Sequence, residues 1–321
     1  MFIAKFSTPF TLLLGFLVVP LLVFFLCRWL LPKRRGRKIG AAGACVVFGL
    51  FGYGLTYGFE EFHVNHITYE SSDLPEAFDG YRIVHFSDAH LGSYAARRQW
   101  VIQRVVDSIL AQKSDMIVFT GDLQNVVPTE ILPFKDMLSQ LHAPDGVYSI
   151  LGNHDYDVYQ DADEATKRAN CLLTQEYERQ LGWTLLMNEN RSIHRGADSI
   201  VLAGMENRGN VSRMPRPGNL AMTMQGVDTT SFVVMLQHDP SAWFEKILPE
   251  SHAQLTLSGH THGMQFGIGG WSPMSLVKEE WGGMLYRGNR AMYVSTGIGG
   301  LIPFRLGMPG EIAVVTLKRK H

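Results

Sequence analysis

Tyr81-Arg82-Ile83-Val84-His85-Phe86-Ser87-Asp88-Ala89-His90 is a short apolar run that gives out into two side chains of metal-binding type. The arrangement recurs downstream. Met116-Ile117-Val118-Phe119-Thr120 runs into Gly121-Asp122, and residues 147–151 run into Gly152-Asn153-His154-Asp155. Residues 232–236 run into Gln237-His238-Asp239, and 253–257 into Ser258-Gly259-His260-Thr261-His262-Gly263. Short apolar runs bounded by turn residues read as buried strands, so each motif is expected at a strand end. Together they supply Asp88, His90, Asp122, Asn153, His238, His260 and His262, with His154 beside them.

These residue types suit one chemistry. In extended backbone, residues i and i+2 project to the same side, which would let Asp88 and His90 grip one ion. Asp122 can bridge two ions through its two oxygens, and Asn153 offers a neutral amide oxygen. Gly259 and Gly263 give the histidine turn backbone freedom. Two ions about 3.5–4 Å apart can clamp a phosphoryl oxygen and activate a water near neutral pH. A single Asp-x-His or Gly-Asp at a strand end is weak evidence, because most such acids cap turns or helices. The full series in this order, each member after a strand-like run, is not explained that way.

The order of motifs resembles the calcineurin-like metallophosphoesterases, and within them the membrane-anchored bacterial branch. The resemblance runs from about Asp79 to the C-terminus, including Tyr293-Val294-Ser295-Thr296-Gly297-Ile298-Gly299. It implies an α/β fold, a four-layer αββα sandwich with metals at the strand ends. It also implies two divalent ions, one held by Asp88, His90 and His262, the other by Asn153, His238 and His260, with Asp122 between them. His154 would protonate the leaving oxygen or donate to the phosphate. Ligands without thiolate suit Mn, Fe or Zn. The sequence departs from the family in three places. Asn125 stands where several relatives have an Asp that orients the motif histidine. Met264 and Thr296 replace a Gly and an Arg frequent in the branch.

The front of the chain is of another kind. Residues 9–31 are almost uncharged until Arg28, long enough to cross a bilayer, and 39–59 form a second uncharged, glycine-rich stretch. Gly40, Gly43, Gly49, Gly52 and Gly54 suit close packing of two helices. Between the stretches lies Lys33-Arg34-Arg35-Gly36-Arg37-Lys38, which the positive-inside rule places in the cytoplasm. The expected organisation is a transmembrane hairpin over 1–59, a linker over 60–79 and a catalytic domain over 80–321. That makes a two-span protein of the cell membrane with its catalytic domain on the extracytoplasmic face.

Within 321 residues the formal net charge is −1, which gives no pull toward nucleic acid, and no nucleic-acid partner is expected. The three cysteines have neither disulfide-framework nor metal-site spacing. Amphipathic stretches at 93–113 and 163–181 read as helices. The loop 207–227, with Arg208, Arg213 and Arg216, and the loop 267–287, with Trp271, Met274, Trp281 and Tyr286, are candidate pocket walls. The expected substrate is a phosphodiester or phospholipid head group at the membrane surface. A phosphomonoester or nucleotide is the enzymatic alternative, and a membrane-tethered, non-catalytic metal-binding scaffold is the reading from another class.

Overall fold

The computed structural model describes residues 3–95, 97–209 and 215–320, with side chains from residue 15 onward. Arg213 therefore lies outside the described residues. The body is built on two six-stranded sheets. The first has the spatial order β1 (Phe62–Ser71), β12 (Gly310–Arg319), β2 (Arg82–Phe86), β3 (Met116–Phe119), β4 (Val147–Ser149) and β5 (Thr184–Leu185). The second has the order β10 (Gly283–Arg287), β11 (Arg290–Val294), β9 (Leu255–Ser258), β8 (Val233–Leu236), β7 (Asp198–Gly204) and β6 (Glu189–Arg195).

Alternation along each strand assigns the layers, since successive side chains point to opposite faces. Ile83, Met116 and Val118 of the first sheet face Leu202, Val234, Leu236, Leu255 and Leu257 of the second. Val84, Phe86, Ile117 and Phe119 face the other way, onto the helix α3 (Gln99–Ala111), which buries Val101, Ile102, Val105, Val106 and Ile109. On the far side, Val201, Ala203, Val233 and Met235 pack under Trp243 and Ile247. Strands with both faces covered carry little polar alternation, which is why Met116–Phe119 reads as an unbroken apolar run and 147–151 as one interrupted only at Ser149.

A second long helix of the body, α4 (Glu164–Gln180), starts where Asp163 accepts the Thr166 N–H at 2.7 Å, within the expected 163–181. β2 to β5 are mutually parallel, as are β7, β8, β9 and β11. Their carboxyl ends collect on one side of the molecule, where ligand crevices form in open α/β sheets.

The segment expected as a linker is a strand. Residues 62–71 are extended, but β1 pairs in parallel with β12 along its whole length, from Phe62 against Gly310 to Ser71 against Arg319. Tyr69 is buried, its hydroxyl donating to the carbonyls of Gln254 (3.0 Å) and Asn289 (2.7 Å). The physical cause is an edge position. Much of β1 faces solvent, so its polar side chains (His63, Asn65, His66, Thr68) hide a strand whose main chain is fully engaged.

At the front, α1 (Ile3–Leu30) and α2 (Lys33–Leu55) are antiparallel neighbours. A Cβ on Gly36 would meet the Cys27 carbonyl oxygen at 2.8 Å, and one on Gly40 the Phe24 carbonyl oxygen at 2.8 Å. Gly49 and Gly52 face open space instead, and Gly54 packs on Phe304 of the body. The basic run is not a loop, because Lys33 already begins α2 and only Leu31 and Pro32 separate the helices. Among the described residues, one helix, Lys33–Glu60, is long and apolar enough to cross a membrane, and Gly15–Leu30 is a shorter apolar stretch. The expected pair of spans is thus met at that standard by one.

Candidate metal centre

The motif loops leave their strands in left-handed backbone. Asp88 (φ 54°), His90 (φ 43°), Asp122 (φ 61°), His260 (φ 75°) and His262 (φ 53°) all have positive φ. Such conformations cost energy for residues with a Cβ and persist where the surroundings over-determine them. Asp88 and His90 therefore come together for a reason other than strand alternation. Each lies past the end of β2 in a turn pinned by Asp88 N–H to Gly121 carbonyl (2.9 Å) and His90 N–H to Asp122 carbonyl (3.1 Å).

Three clusters share these residues: Asp88, His90 and His262; His90, Asp122 and His154; Asp122, His238 and His260. Within each, the ligand-type atoms lie inside 4.8 Å of one another. His90 Nε2 and His262 Nε2 stand 3.2 Å apart, and His262 Nε2 lies 3.5 Å from Asp88 Oδ1. Asp122 Oδ2 is 3.6 Å from His90 Nε2 and 3.2 Å from His238 Nε2. One oxygen thus faces both histidine groups, while Oδ1 accepts the His154 main-chain N–H at 2.8 Å. A single Asp122 oxygen lies between the two histidine sets.

The site fits divalent cations on its own atoms. Asn153 Oδ1 is buried with no hydrogen-bond partner among the described residues, a condition that costs free energy unless something else satisfies it. Asn153 is oriented by its amide Nδ2, which donates to the Tyr159 hydroxyl at 2.9 Å. The His238 ring is oriented by Nδ1, which donates to the Thr120 carbonyl at 2.7 Å and leaves Nε2 toward Asp122.

Burial holds His90 well below the ordinary histidine range and lowers His260, and it brings His262 down to about 4. Their imidazoles are neutral at pH 7, the state that metal ligation requires. His238 is opposite in sign. Burial pushes it down, but the Asp122 carboxylate lifts it to about 10, so a proton occupies that contact in the metal-free chain.

Glycines in the motifs are dictated by close approach. A Cβ on Gly152 would lie 2.2 Å from Asp122 Oδ1, and one on Gly259 would lie 2.3 Å from Asp88 Oδ2. His154 is held without the expected acid. Its Nδ1 donates to the main-chain carbonyl of Asn125 at 2.6 Å, and its ring stacks on Tyr159 at 4.0 Å between centroids. The Asn125 side chain turns elsewhere, donating to Ser93 Oγ at 2.9 Å.

Two supports went unnoticed in the sequence. Asp155, the last residue of the quoted Gly-Asn-His-Asp motif, accepts four main-chain N–H groups: Asp122 (2.7 Å) and Gly152 (2.8 Å) on Oδ2, Leu123 (2.9 Å) and Gln124 (3.3 Å) on Oδ1. It fastens the Asp122 turn to the Asn153 turn, and its place in the motif was the available signal. Arg305 is fully buried and donates to the carbonyls of Thr296, Gly297, Gly299, Met308 and Pro309. A guanidinium thus reaches the segment where Thr296 stands, from nine residues further on.

Of the two candidate wall loops, Pro215 lines a cavity of about 630 Å³ beside the Asn153 turn, together with Tyr156, Lys167, Arg168 and Leu172. Arg208 and Arg216 line a different cleft. The 267–287 loop is tied to the histidine motif where Thr261 Oγ1 donates to the Trp281 carbonyl at 2.6 Å.

Comparison with known proteins identifies the family. The family model for calcineurin-like phosphoesterases matches residues 81–264. The metallophosphoesterase YkuE of Bacillus subtilis is 30% identical over 298 residues, covering 87% of this chain and 93% of that one. A metallophosphoesterase of Aquifex aeolicus is 29% identical over 265 residues, covering 80% and 92%. A zebrafish protein named "Transmembrane protein with metallophosphoesterase domain" is 28% identical over 276 residues, covering 83% of this chain and 60% of that one.

Proposed function

The chain belongs to the calcineurin-like phosphoesterase family and is a metal-dependent phosphoesterase, and from that premise we propose a membrane-anchored enzyme with a dinuclear site that cleaves phosphodiester or phospholipid-type substrates. The observation that carries the dinuclear reading is Asp122 Oδ2, set between His90 on one side and His238 on the other. Asp88, His90 and His262 would hold one divalent ion, and Asn153, His238 and His260 the other, with Asp122 shared. Mn, Fe and Zn all suit this donor set. When bound, such a pair polarises the phosphoryl oxygens and activates water.

The protein's own contribution is orientation and proton control. The Asn125 carbonyl accepts from His154 Nδ1–H and so orients the ring, and Nε2 would donate to a phosphoryl oxygen or protonate the departing one from the doubly protonated imidazolium, in which both ring nitrogens carry a proton. Asp155 and the left-handed turns hold the ligands in place, so little reorganisation is needed when charge builds on the substrate.

Anchoring rests on the Lys33–Glu60 helix and its direct attachment to the body. Arg98 donates to Leu55 carbonyl at 2.6 Å and pairs with Glu60 at 2.8 Å. A run of cations in the first turn of α2 opposes the helix dipole. Its presence there is better explained by topology, with the basic end cytoplasmic and the catalytic body on the other face. The anchor then comprises residues 1–59 and the catalytic unit begins at β1.

The test is turnover of p-nitrophenyl phosphate and its bis ester by the full chain in detergent with added Mn²⁺, against Asp122→Asn. Faster metal-dependent cleavage of the bis ester supports the diesterase reading. Preference for the monoester replaces it with the phosphatase alternative. No turnover together with no bound metal replaces it with a membrane-tethered scaffold whose site is a relict.

A further inference from the structure

The described surface of the body carries a cluster of exposed apolar side chains in the loops that follow the last metal-type histidine. Val277 is 82% exposed, Leu276 75%, Ile268 71%, Met264 54%, Trp271 46% and Leu301 40%. Contiguous exposed apolar surface on a polar body marks a contact site.

Its position identifies what it contacts. The Gln265 side chain donates to the carbonyls of Ile302 and Phe304, and main-chain bonds join Leu306 to Gln265 and Gly267 to Leu306. The 264–271 loop and the 301–306 loop are therefore one surface. That surface is fused to the end of the apolar helix. Phe304 lies 5.6 Å from Phe51 between ring centroids, the Arg305 N–H donates to Gly54 carbonyl at 2.9 Å, and Gly58 leaves room for the Arg305 carbonyl. Val46 and Leu50, about one turn apart, are exposed on α2, and Phe51 and Gly54 of the same helix pack on Phe304 and so join it to the loop pair. Tyr57 and Trp271, both substantially exposed, are the aromatic types that settle at a membrane–water boundary.

We infer that the 264–277 and 301–304 loops are a membrane-contact surface, resting on the lipid leaflet from which α2 emerges. The metal centre, two residues from Met264 at His262, then opens at the lipid surface, where it can take a head-group phosphoester without lifting the whole lipid into water. This rests on reading α2 as a membrane span. The loops contribute insertion of apolar side chains to head-group depth, as interfacial segments do.

The test uses the full chain, with Cys27, Cys45 and Cys171 replaced by serine, in phosphatidylethanolamine–phosphatidylglycerol vesicles. Single cysteines from Ile268→Cys, Leu276→Cys, Val46→Cys and Thr229→Cys carry a fluorophore, and spin-labelled lipid is the quencher. Thr229 is exposed just before β8, at the end of the strand away from the motif loops. Thermal unfolding matched to the unlabelled chain establishes that each variant is folded. The expected result is loss of about half the emission at positions 46, 268 and 276, with position 229 unaffected, as for side chains seated in the boundary layer. Quenching at 46 without quenching at 268 and 276 overturns the inference and leaves the anchor standing. No quenching at 46 overturns the anchor itself. Labels at 268 and 276 shielded from water yet unquenched by lipid indicate a protein partner or a second copy, which also overturns it.

Discussion

Asp155→Asn is the substitution whose consequence the geometry defines most closely. Each carboxylate oxygen of Asp155 accepts two main-chain N–H groups, from Asp122 and Gly152 on one and from Leu123 and Gln124 on the other. Asparagine keeps one oxygen, so either orientation turns an NH₂ group toward two N–H donors. Two charge-assisted hydrogen bonds are lost, at roughly 1.5–3 kcal/mol each, or about 3–6 kcal/mol together. That is a large part of the stability of an ordinary domain and corresponds to a fall in Tm on the order of 10 °C. Burial, and then the Asp122 charge, push the Asp155 carboxyl up to about 7. The comparison is therefore made near pH 8, where the carboxylate is ionised. Thermal unfolding of the full chain in detergent, with metal content measured in parallel, should show both a lowered Tm and weakened metal retention. A variant with the Tm and metal content of the parent would refute the assignment of Asp155 as the fastener between the two turns.

Other outcomes follow from the same contacts. Gly259→Ala places a methyl 2.3 Å from Asp88 Oδ2, so it should impair metal retention and turnover while circular dichroism stays native. Parent-like metal content would contradict the close approach. His154→Ala should lower turnover about 10²–10⁴-fold at unchanged metal content, and loss of bound metal instead would make His154 a ligand. For the metal-free chain, His262 is lowered from 6.5 to about 4, so the unfolded state binds its proton first as pH falls. Stability from this group is present above 6.5 and is lost between 6.5 and about 4. Urea titrations with chelator across that window should show it, and a His262→Gln variant should flatten the dependence.

The clustered site residues were legible because each stands just past a strand buried on both faces, and such strands announce themselves as largely apolar runs. The reason given for pairing Asp88 with His90 was wrong even though the pairing is found. Left-handed turns at residues with side chains leave no local pattern, since the restraint comes from Asp122, Gly121 and the 297–299 turn, far away in sequence. β1 was missed for the converse reason: its exposed edge admits polar residues, and its partner β12 lies at the other end of the chain. Arg305 gave no signal because its partners are carbonyl groups, which any sequence supplies. Asn125 was readable as a departure from the family, but the carbonyl that orients His154 is independent of the side chain at that position.

The central claim is that Asp122 joins two ions. Electron paramagnetic resonance of the full chain titrated with Mn²⁺ tests it most directly, with bound metal counted in the same samples. The account predicts two equivalents and the spectrum of an exchange-coupled pair, with coupling lost in Asp122→Asn. A single equivalent, or two ions with uncoupled spectra in the parent chain, would contradict it.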